Sequence, residues 1–235
     1  MNALEVLYED NHLLIVNKPA GVLSQVDKSG DTSIEQLAKQ YIKEKYQKPG
    51  EAFIGVAHRI DRPVSGVLIL ARTSKALTRL NEMFRTREVQ KTYWAVVEAR
   101  PELPENTLVH WLRKNEKKNM THAFMMERSD AQRSELSYRY IGSSDKYHLL
   151  EVDPLTGRHH QIRVQLSSIG CSIKGDLKYG AKRSNSNGAI HLHARKIVFQ
   201  HPVRKEPLEV TAPVPDDVVW KFFEQQFASG NNVNH

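Results

Sequence analysis

The chain has 235 residues, of which 40% are hydrophobic and 26% are charged. This composition excludes a disordered protein and provides enough apolar material for one large domain or two small ones. No segment approaches the roughly 20 apolar residues of a membrane-spanning helix, and the single cysteine, Cys171, excludes an internal disulfide and suits a reducing compartment. The net charge of +7 is compatible with a polyanionic partner, with a nucleic acid first and an anionic membrane surface second, and equally with a merely solvated basic surface.

The first predicted elements are a hairpin and a helix. Two short apolar runs at 6–8 and 13–16 flank a polar turn, which predicts a β-hairpin. Ser33, with Gln36 three residues later, has the spacing of a capping box and predicts the start of a helix. The apolar residues of that helix recur at helical spacing and would form its buried side: Ile34, Leu37, Ala38 and Tyr41.

An acidic residue between two arginines comes next. Asp61 is flanked by Arg59 and Arg62, on a segment that a proline and a glycine keep irregular. The residues that follow, 67–71, are all apolar and predict a buried strand. A carboxylate held where a loop meets a rigid strand is well placed to act on a bound molecule. This loop is therefore the first candidate site.

The remaining elements are mostly strands. Ser74 is predicted to cap a second helix, and residues 91–99 predict a strand. A final helix is predicted from about residue 215, and residues 228–235 are predicted to be a disordered tail. Further strands are predicted at 107–112, 134–141, 146–152, 190–199 and 207–212, with a basic hairpin tip at 113–118. Because strands outnumber helices and mostly follow one another, we predict an α+β fold with a largely antiparallel sheet, in a single domain over 1–227.

Two further segments could carry chemistry. In 156–170, apolar residues at helical spacing and a terminal glycine predict a short helix that carries Arg163. Taken alone, a helical arginine most often lies on a solvated face. In the strand at 91–99, alternation places Tyr93 on the face opposite Trp94. A sheet aromatic without a catalytic role is the simpler interpretation of Tyr93 alone.

Taken together, three segments resemble the RluA-type pseudouridine synthases, which modify RNA. They lie at 58–66, 91–93 and 156–164, and further matches follow the family's order at 9–21, 173–180 and 192–194. The resemblance covers about residues 5–213, although Val64, Gln165 and Cys171 depart from the family's usual residues. It implies a pseudouridine-synthase-like α+β fold, in which helices flank a mixed, largely antiparallel sheet with a central basic cleft.

The resemblance also implies a reaction and its catalytic residues. Specific uridines in structured RNA, either rRNA or tRNA, would be isomerised to pseudouridine without a cofactor or a metal. Asp61 would be the essential group, and whether it attacks the sugar or the base, or removes a sugar proton, stays open. Arg163 would pair with Asp61 and orient it. Tyr93 would stack on the flipped uracil, and Leu192 would close the apolar side of the pocket.

RNA capture would rest on the basic surface of the same domain. The sequence begins with the motifs of the catalytic domain, so we expect no small N-terminal RNA-binding module of the S4 type. Arg59 would either contact a phosphate or brace the Asp61 loop, and the phosphate contact is favoured. The other expected RNA contacts are His58, Arg62, Arg158, His160, Lys174 and Lys178. We expect a cytoplasmic monomer with neither an obligate protein partner nor a membrane partner.

Two alternative functions stay open at this point. A metal-dependent hydrolase would use histidine pairs such as His191 and His193, which share a face if they lie on one strand. Acidic residues in a recognisable metal-site spacing do not accompany them in the sequence. The other alternative is a non-catalytic RNA-binding protein on the same fold, although binding alone needs no carboxylate in an RNA-facing cleft.

Overall fold

The structure, a computed structural model, describes residues 4–47 and 49–230. The chain divides into two compact units, of which the first comprises Met1–Lys91 and Ala194–Pro213 and the second comprises Thr92–His193 and Val214–His235. In chain order the elements are β1 (Val6–Glu9), β2 (Leu13–Lys18), α1 (Ile34–Lys45), β3 (Gly55–Val56), β4 (Ser65–Ala71), α2 (Ser74–Arg85), β5 (Gln90–Val97), β6 (Glu105–Asn115), β7 (Met120–Phe124), β8 (Gln132–Ser143), β9 (His148–Pro154), α3 (Gln161–Ser168), a short 3-10 helix (Leu177–Tyr179), β10 (Leu192–Gln200), β11 (Pro207–Thr211) and α4 (Val218–Gly230). This content confirms the predicted α+β class.

The first unit is built on strands in the order β1-β2-β4-β10, with β3 paired to β4 and β11 paired to β10. The pairs β1–β2, β2–β4, β3–β4 and β10–β11 are antiparallel. The β1–β2 pair confirms the predicted hairpin. All seven residues of β4 are buried, as its apolar run predicted.

Two helices cover the two faces of this sheet. Ile69 of β4 packs in one apolar cluster with Leu80 of α2, whereas Leu70 packs in a second cluster with Ile34 of α1. Neighbouring strand residues point to opposite faces, so a strand covered on both sides is apolar at every position. The loop that precedes β4 is therefore anchored on a strand that is rigid along its whole length.

The caps of the two helices show where the sequence pattern was right and where it was wrong. Ser33 caps α1, and its side chain and that of Gln36 form the predicted capping box. Helix α2 is capped by Thr73, whose side chain accepts a hydrogen bond from the Ala76 amide at 3.2 Å. The predicted cap, Ser74, is instead the first helical residue. A threonine and a serine in succession both suit the cap, and the extended backbone of Thr73 decides between them.

Replacing Thr73 by alanine is expected to lower the free energy of unfolding by about 1 kcal/mol, because the Ala76 amide loses its partner. Ser74→Ala is the matched control and should change it by less than about 0.5 kcal/mol, since Ser74 is exposed on the helix surface. Urea unfolding of both variants measures the difference. A larger loss for Ser74→Ala than for Thr73→Ala would contradict the cap at Thr73.

The second unit orders its strands β5-β9-β8-β6-β7, and each neighbouring pair is antiparallel. Strand β7 was not predicted, because its sequence lacks an alternating apolar pattern. The predicted tip at 113–118 was also placed too early, since β6 continues to Asn115 and the turn occupies 116–119. The basic residues are thus shared between the end of β6 and the turn.

Helix α4 covers one face of this second set of strands. Trp220 and Phe223 of α4 pack with Trp94, Val96 and Leu149. The helix begins at Val218, later than predicted, and continues through Gly230, past the start of the predicted tail; residues 231–235 lie outside the described part of the chain. In the described residues, no helix combines the length and the apolar composition that crossing a membrane requires. The single domain over 1–227 stays a prediction.

Candidate active site

The Asp61 loop leads into β4 in the first unit. Asp61 is half-buried, and its carbonyl oxygen accepts a hydrogen bond from the Val64 amide at 3.0 Å, which closes a tight turn. Arg59 and Arg62 are exposed on either side of it. Arg62 also forms a half-exposed ion pair with Asp31, with 2.7 Å between Nη1 and Oδ2. Both arginines that surround Asp61 in the sequence are therefore open to solvent.

A second segment of the first unit holds this loop on both sides of Asp61. The Ser24 hydroxyl donates to the carbonyl of Ile60 at 2.8 Å and accepts from the Ile60 amide at 3.2 Å. The Gly21 amide donates to the carbonyl of Arg62 at 2.7 Å, and Arg62 Nε donates back to the Gly21 carbonyl at 2.9 Å. The backbone before and after the carboxylate is thereby fixed. Ser24 was not among the predicted site residues.

Lys18 supports the same loop from inside the protein. Its side chain is fully buried, and its ammonium group donates to the carbonyls of Val22, Pro19 and Arg62 at 2.7, 3.0 and 3.3 Å. Burial lowers the pKa of Lys18 to about 7; the carboxylate of Asp61 opposes this shift and the Arg62 guanidinium adds to it. In the sequence, the segment that contains Lys18 was recognised only as a family motif. In the structure, Lys18 stabilises the Asp61 loop.

His58 has a packing role at the base of this loop. Its ring stacks on Phe84 with 4.6 Å between centroids, and its Nε2 accepts a hydrogen bond from the Ile69 amide at 2.9 Å. Burial lowers the pKa of His58 to about 3, and nearby Lys91 lowers it further, so the ring is neutral. His58 thus ties the loop to β4. The RNA contact expected of it stays a prediction.

In the second unit, Tyr93 lies on β5. It pairs with Val152 of β9 and is half-buried. The next residue, Trp94, packs against α4, so alternation puts Tyr93 on the face of β5 that points away from this helix. The packing of Trp94 against α4 confirms the prediction that Tyr93 and Trp94 lie on opposite faces of the strand.

Arg163 lies on α3 as predicted but is buried, not solvated. Its Nε and Nη2 donate to the two carboxylate oxygens of Asp176 at 2.6 and 2.8 Å. The expectation for an isolated helical arginine was therefore wrong, because a buried carboxylate compensates the charge. Asp176 was missed as a site residue. The pairing of Arg163 with Asp61 stays a prediction.

The other predicted RNA contacts in the second unit differ in exposure. Arg158 and Lys178 are exposed, and Lys178 Nζ donates to the carbonyl of Asn119 at 3.0 Å. Lys174 is half-buried and bonds to the side chain of Asn185. Leu192 is buried, as an apolar pocket wall would be. Their RNA contacts stay predictions.

His160 is buried and adopts a left-handed conformation just before α3. Burial lowers its pKa to about 2, and the neighbouring charge of Arg163 adds to this shift. Its ring stacks on His159 with 3.7 Å between centroids. A neutral ring gives a phosphate no ionic attraction, so any RNA contact by His160 would be through hydrogen bonding or stacking.

The histidine pair considered for a metal has other partners. His191 Nε2 lies 3.0 Å from a carboxylate oxygen of Asp217, and its Nδ1 lies 3.0 Å from Asn185 Nδ2. The rings of His191 and His193 both pack against Trp220. Within the described part of the chain, no group of three or more histidine, cysteine or acidic residues is arranged to hold a metal ion.

Comparison with known proteins identifies the family. Residues 12–168 match the family model described as RNA pseudouridylate synthase. The chain belongs to the RNA pseudouridylate synthase family. The matched range includes Asp61, Tyr93 and Arg163.

Curated members of this family resemble most of the chain. Ribosomal large subunit pseudouridine synthase C of Vibrio vulnificus is 32% identical and matches 91% of this chain, which spans 66% of that relative's length. The chain thus spans slightly less than two thirds of that protein. The tRNA pseudouridine synthase C of Vibrio cholerae is 30% identical, with 95% of this chain and 96% of the relative covered.

A solved structure has the same fold. Human RNA pseudouridylate synthase domain containing 4 aligns with a TM-score of 0.77 and 24% identity, over 95% of this chain and 93% of that chain. The similarity confirms the predicted pseudouridine-synthase-like fold. The central basic cleft stays a prediction.

Proposed function

We propose that this chain isomerises uridine to pseudouridine in RNA, with Asp61 as the essential group. Membership of the RNA pseudouridylate synthase family supports the reaction. The relatives named for the large ribosomal subunit and for tRNA support an RNA substrate of one of these two classes. The observation that carries the assignment to Asp61 is the fixed backbone on both sides of it, held by Ser24 and Gly21. A group that must meet one atom of a substrate requires such support.

The proposed reaction conserves every atom. The bond from N1 of uracil to C1′ of the ribose breaks, the base turns, and a bond from C5 to C1′ forms. C5 loses a proton and N1 gains one, so no redox partner is consumed. Asp61 acts either as a nucleophile toward the sugar or the base, or as the base that removes a sugar proton. Tyr93 stacks on the flipped uracil, and Arg163 pairs with Asp61.

Because C5 loses its hydrogen, tritium at this position reports the reaction. Bulk RNA labelled with [5-³H]uridine, from cells that lack the protein, is the substrate. The purified chain is expected to release tritium to water, and carbodiimide labelling followed by reverse transcription is expected to locate the new pseudouridines in rRNA or tRNA. A folded, RNA-binding preparation that releases no tritium and forms no pseudouridine would overturn the proposal.

RNA affinity is expected to fall steeply as salt rises, because each phosphate that binds a lysine or an arginine releases counterions. Lys117 and Lys118 are exposed in the β6–β7 turn, whereas the nearby Arg113 is paired with Asp130. Replacing both lysines by alanine should reduce the slope of log affinity against log salt by about one for each phosphate that the variant no longer neutralises. Lys75→Ala, an exposed cation on α2, is the control. Binding that is independent of salt would contradict a phosphate-based interface.

We further propose that a monomer carries out the reaction in the cytoplasm without an obligate partner. The single cysteine is buried, which suits a reducing compartment. Size-exclusion chromatography of the purified chain, with and without RNA, tests the monomer.

A further inference from the structure

The guanidinium of Arg163 is held in one orientation within the second unit. Its Nε and Nη2 make two parallel hydrogen bonds to Asp176, and both side chains are almost fully buried, with 5% and 2% of their surface exposed. The fork of an arginine is planar, so this side-on pairing fixes the plane and directs Nη1 away from Asp176. The Nη1 side of the guanidinium therefore points in one fixed direction.

Stability alone gives little reason for this buried pair. Removing two charges from water is costly, and apolar replacements of such pairs are often equally stable. The first turn of α3 also contains Arg163 and no acidic residue, although a helix N-terminus repels cations. Asp176 offsets both costs, which points to a requirement for an arginine at this position.

Tyr179 fixes the guanidinium from a second side. The Cζ atom of Arg163 lies 5.0 Å from the centroid of the Tyr179 ring, which is a cation–π distance. The Tyr179 hydroxyl accepts a hydrogen bond from the Thr121 amide at 2.8 Å and lies 2.8 Å from His160 Nδ1. The hydroxyl is held by this contact whichever of the two atoms carries the shared proton. The tyrosine ring is thus anchored at its far end to β7 and to the residue before α3.

We propose that Asp176 and Tyr179 are positioning residues that orient Arg163 for the isomerisation, Asp176 through the paired hydrogen bonds and Tyr179 through its anchored ring. This inference rests on the proposed function, because Arg163 acts there on Asp61. Neither residue touches the reacting atoms. Their loss would misdirect a catalytic group, and a misplacement of about 1 Å can lower a rate about 100-fold.

Two substitutions test the proposal in the full chain. Asp176→Asn keeps the shape and removes the charge, and we expect kcat for tritium release to fall about 100-fold while KM changes little. Tyr179→Phe keeps the ring and removes its anchor, and we expect a fall in kcat of about tenfold, again with KM nearly unchanged. Tyr179→Phe is the milder substitution, so it still tests the proposal if the Asp176→Asn variant does not fold.

Glu9→Gln in the first unit is the matched control for lost stability. Glu9 pairs with Arg72 in a comparably protected ion pair, with side-chain exposures of 10% and 9%, and it belongs to neither the proposed catalytic set nor the RNA contacts. All variants are compared at a temperature where far-UV circular dichroism shows each of them folded. Glu9→Gln is expected to lower the melting temperature but to keep the wild-type kcat.

The outcomes separate this inference from the proposed function. A wild-type chain that releases no tritium would overturn the proposed function itself. An active wild type together with a folded Tyr179→Phe variant of unchanged kcat would overturn the positioning role. A loss of kcat in Glu9→Gln equal to that in Tyr179→Phe would also overturn it, because reduced stability would then explain both.

Discussion

Replacing Asp61 by asparagine is expected to reduce tritium release from [5-³H]uridine RNA at least about 100-fold, the lower end of what a positioned acid or base contributes. RNA affinity should stay close to that of the wild type. Asparagine has the shape of aspartate but can neither attack as an anion nor accept a proton at neutral pH. The loss is expected for each of the three roles that Asp61 could play.

The structure makes this substitution a clean test. Ser24 bonds to the backbone of Ile60, and Gly21 bonds to the backbone of Arg62, so these bonds to the loop do not depend on the side chain of residue 61. Asp31→Asn is the control, because it removes a carboxylate that pairs with Arg62 at the same loop. Half-exposed pairs of this kind contribute about 0–1 kcal/mol, so the control should keep most of the activity.

Each result has a distinct meaning. Equal tritium release from the wild type and Asp61→Asn would remove Asp61 from the chemistry. Loss of RNA binding in Asp61→Asn would show that Asp61 contributes to substrate binding and not to turnover. Comparable losses in Asp31→Asn would mean that the general charge of the loop matters more than the one carboxylate.

Local signals in the sequence predicted much of the first unit. The hairpin of β1 and β2, the capping box at Ser33 and the buried strand β4 each depend on residues that lie within a few positions of one another. A cap or an alternating run has its physical cause inside the segment itself. Even the wrong cap at α2 was displaced by only one residue, because Thr73 and Ser74 are both suitable.

The supports of the candidate site were not predictable in this way. Ser24 and Ile60 are 36 residues apart, and Arg163 and Asp176 are 13 residues apart. The local sequence of a segment does not indicate its partner, because a hydrogen bond between distant segments depends on how the chain folds. The solvated face that is usual for a helical arginine does not apply to Arg163 for the same reason, since only the fold places the Asp176 carboxylate beside it. The family motifs contained Lys18, Asp176 and Tyr179 but gave no reason for these residues.

Replacing Gly66 by alanine is expected to lower the free energy of unfolding by more than about 4 kcal/mol, a size reached only through a severe clash or a broken network. Gly66 is the second residue of the buried strand β4 and has a φ of +115°, which residues with a side chain rarely adopt. An added Cβ would lie 2.3 Å from the carbonyl oxygen and 2.6 Å from the nitrogen of Ala194. Both are backbone atoms of the neighbouring strand β10, so they cannot rotate away.

Two glycines separate the clash from the strain in this experiment. Gly170→Ala introduces a side chain at φ +79° into open space, and it should cost about 1–2 kcal/mol through the backbone alone. Gly50→Ala also meets open space and has no such φ, so it should change stability by less than about 0.5 kcal/mol. Guanidinium unfolding, or the soluble yield if the Gly66 variant does not fold, ranks the three. A Gly66→Ala chain as stable as Gly170→Ala would mean that β4 and β10 can separate at little cost, and the Asp61 loop would then lack the rigid base on which its proposed chemistry depends.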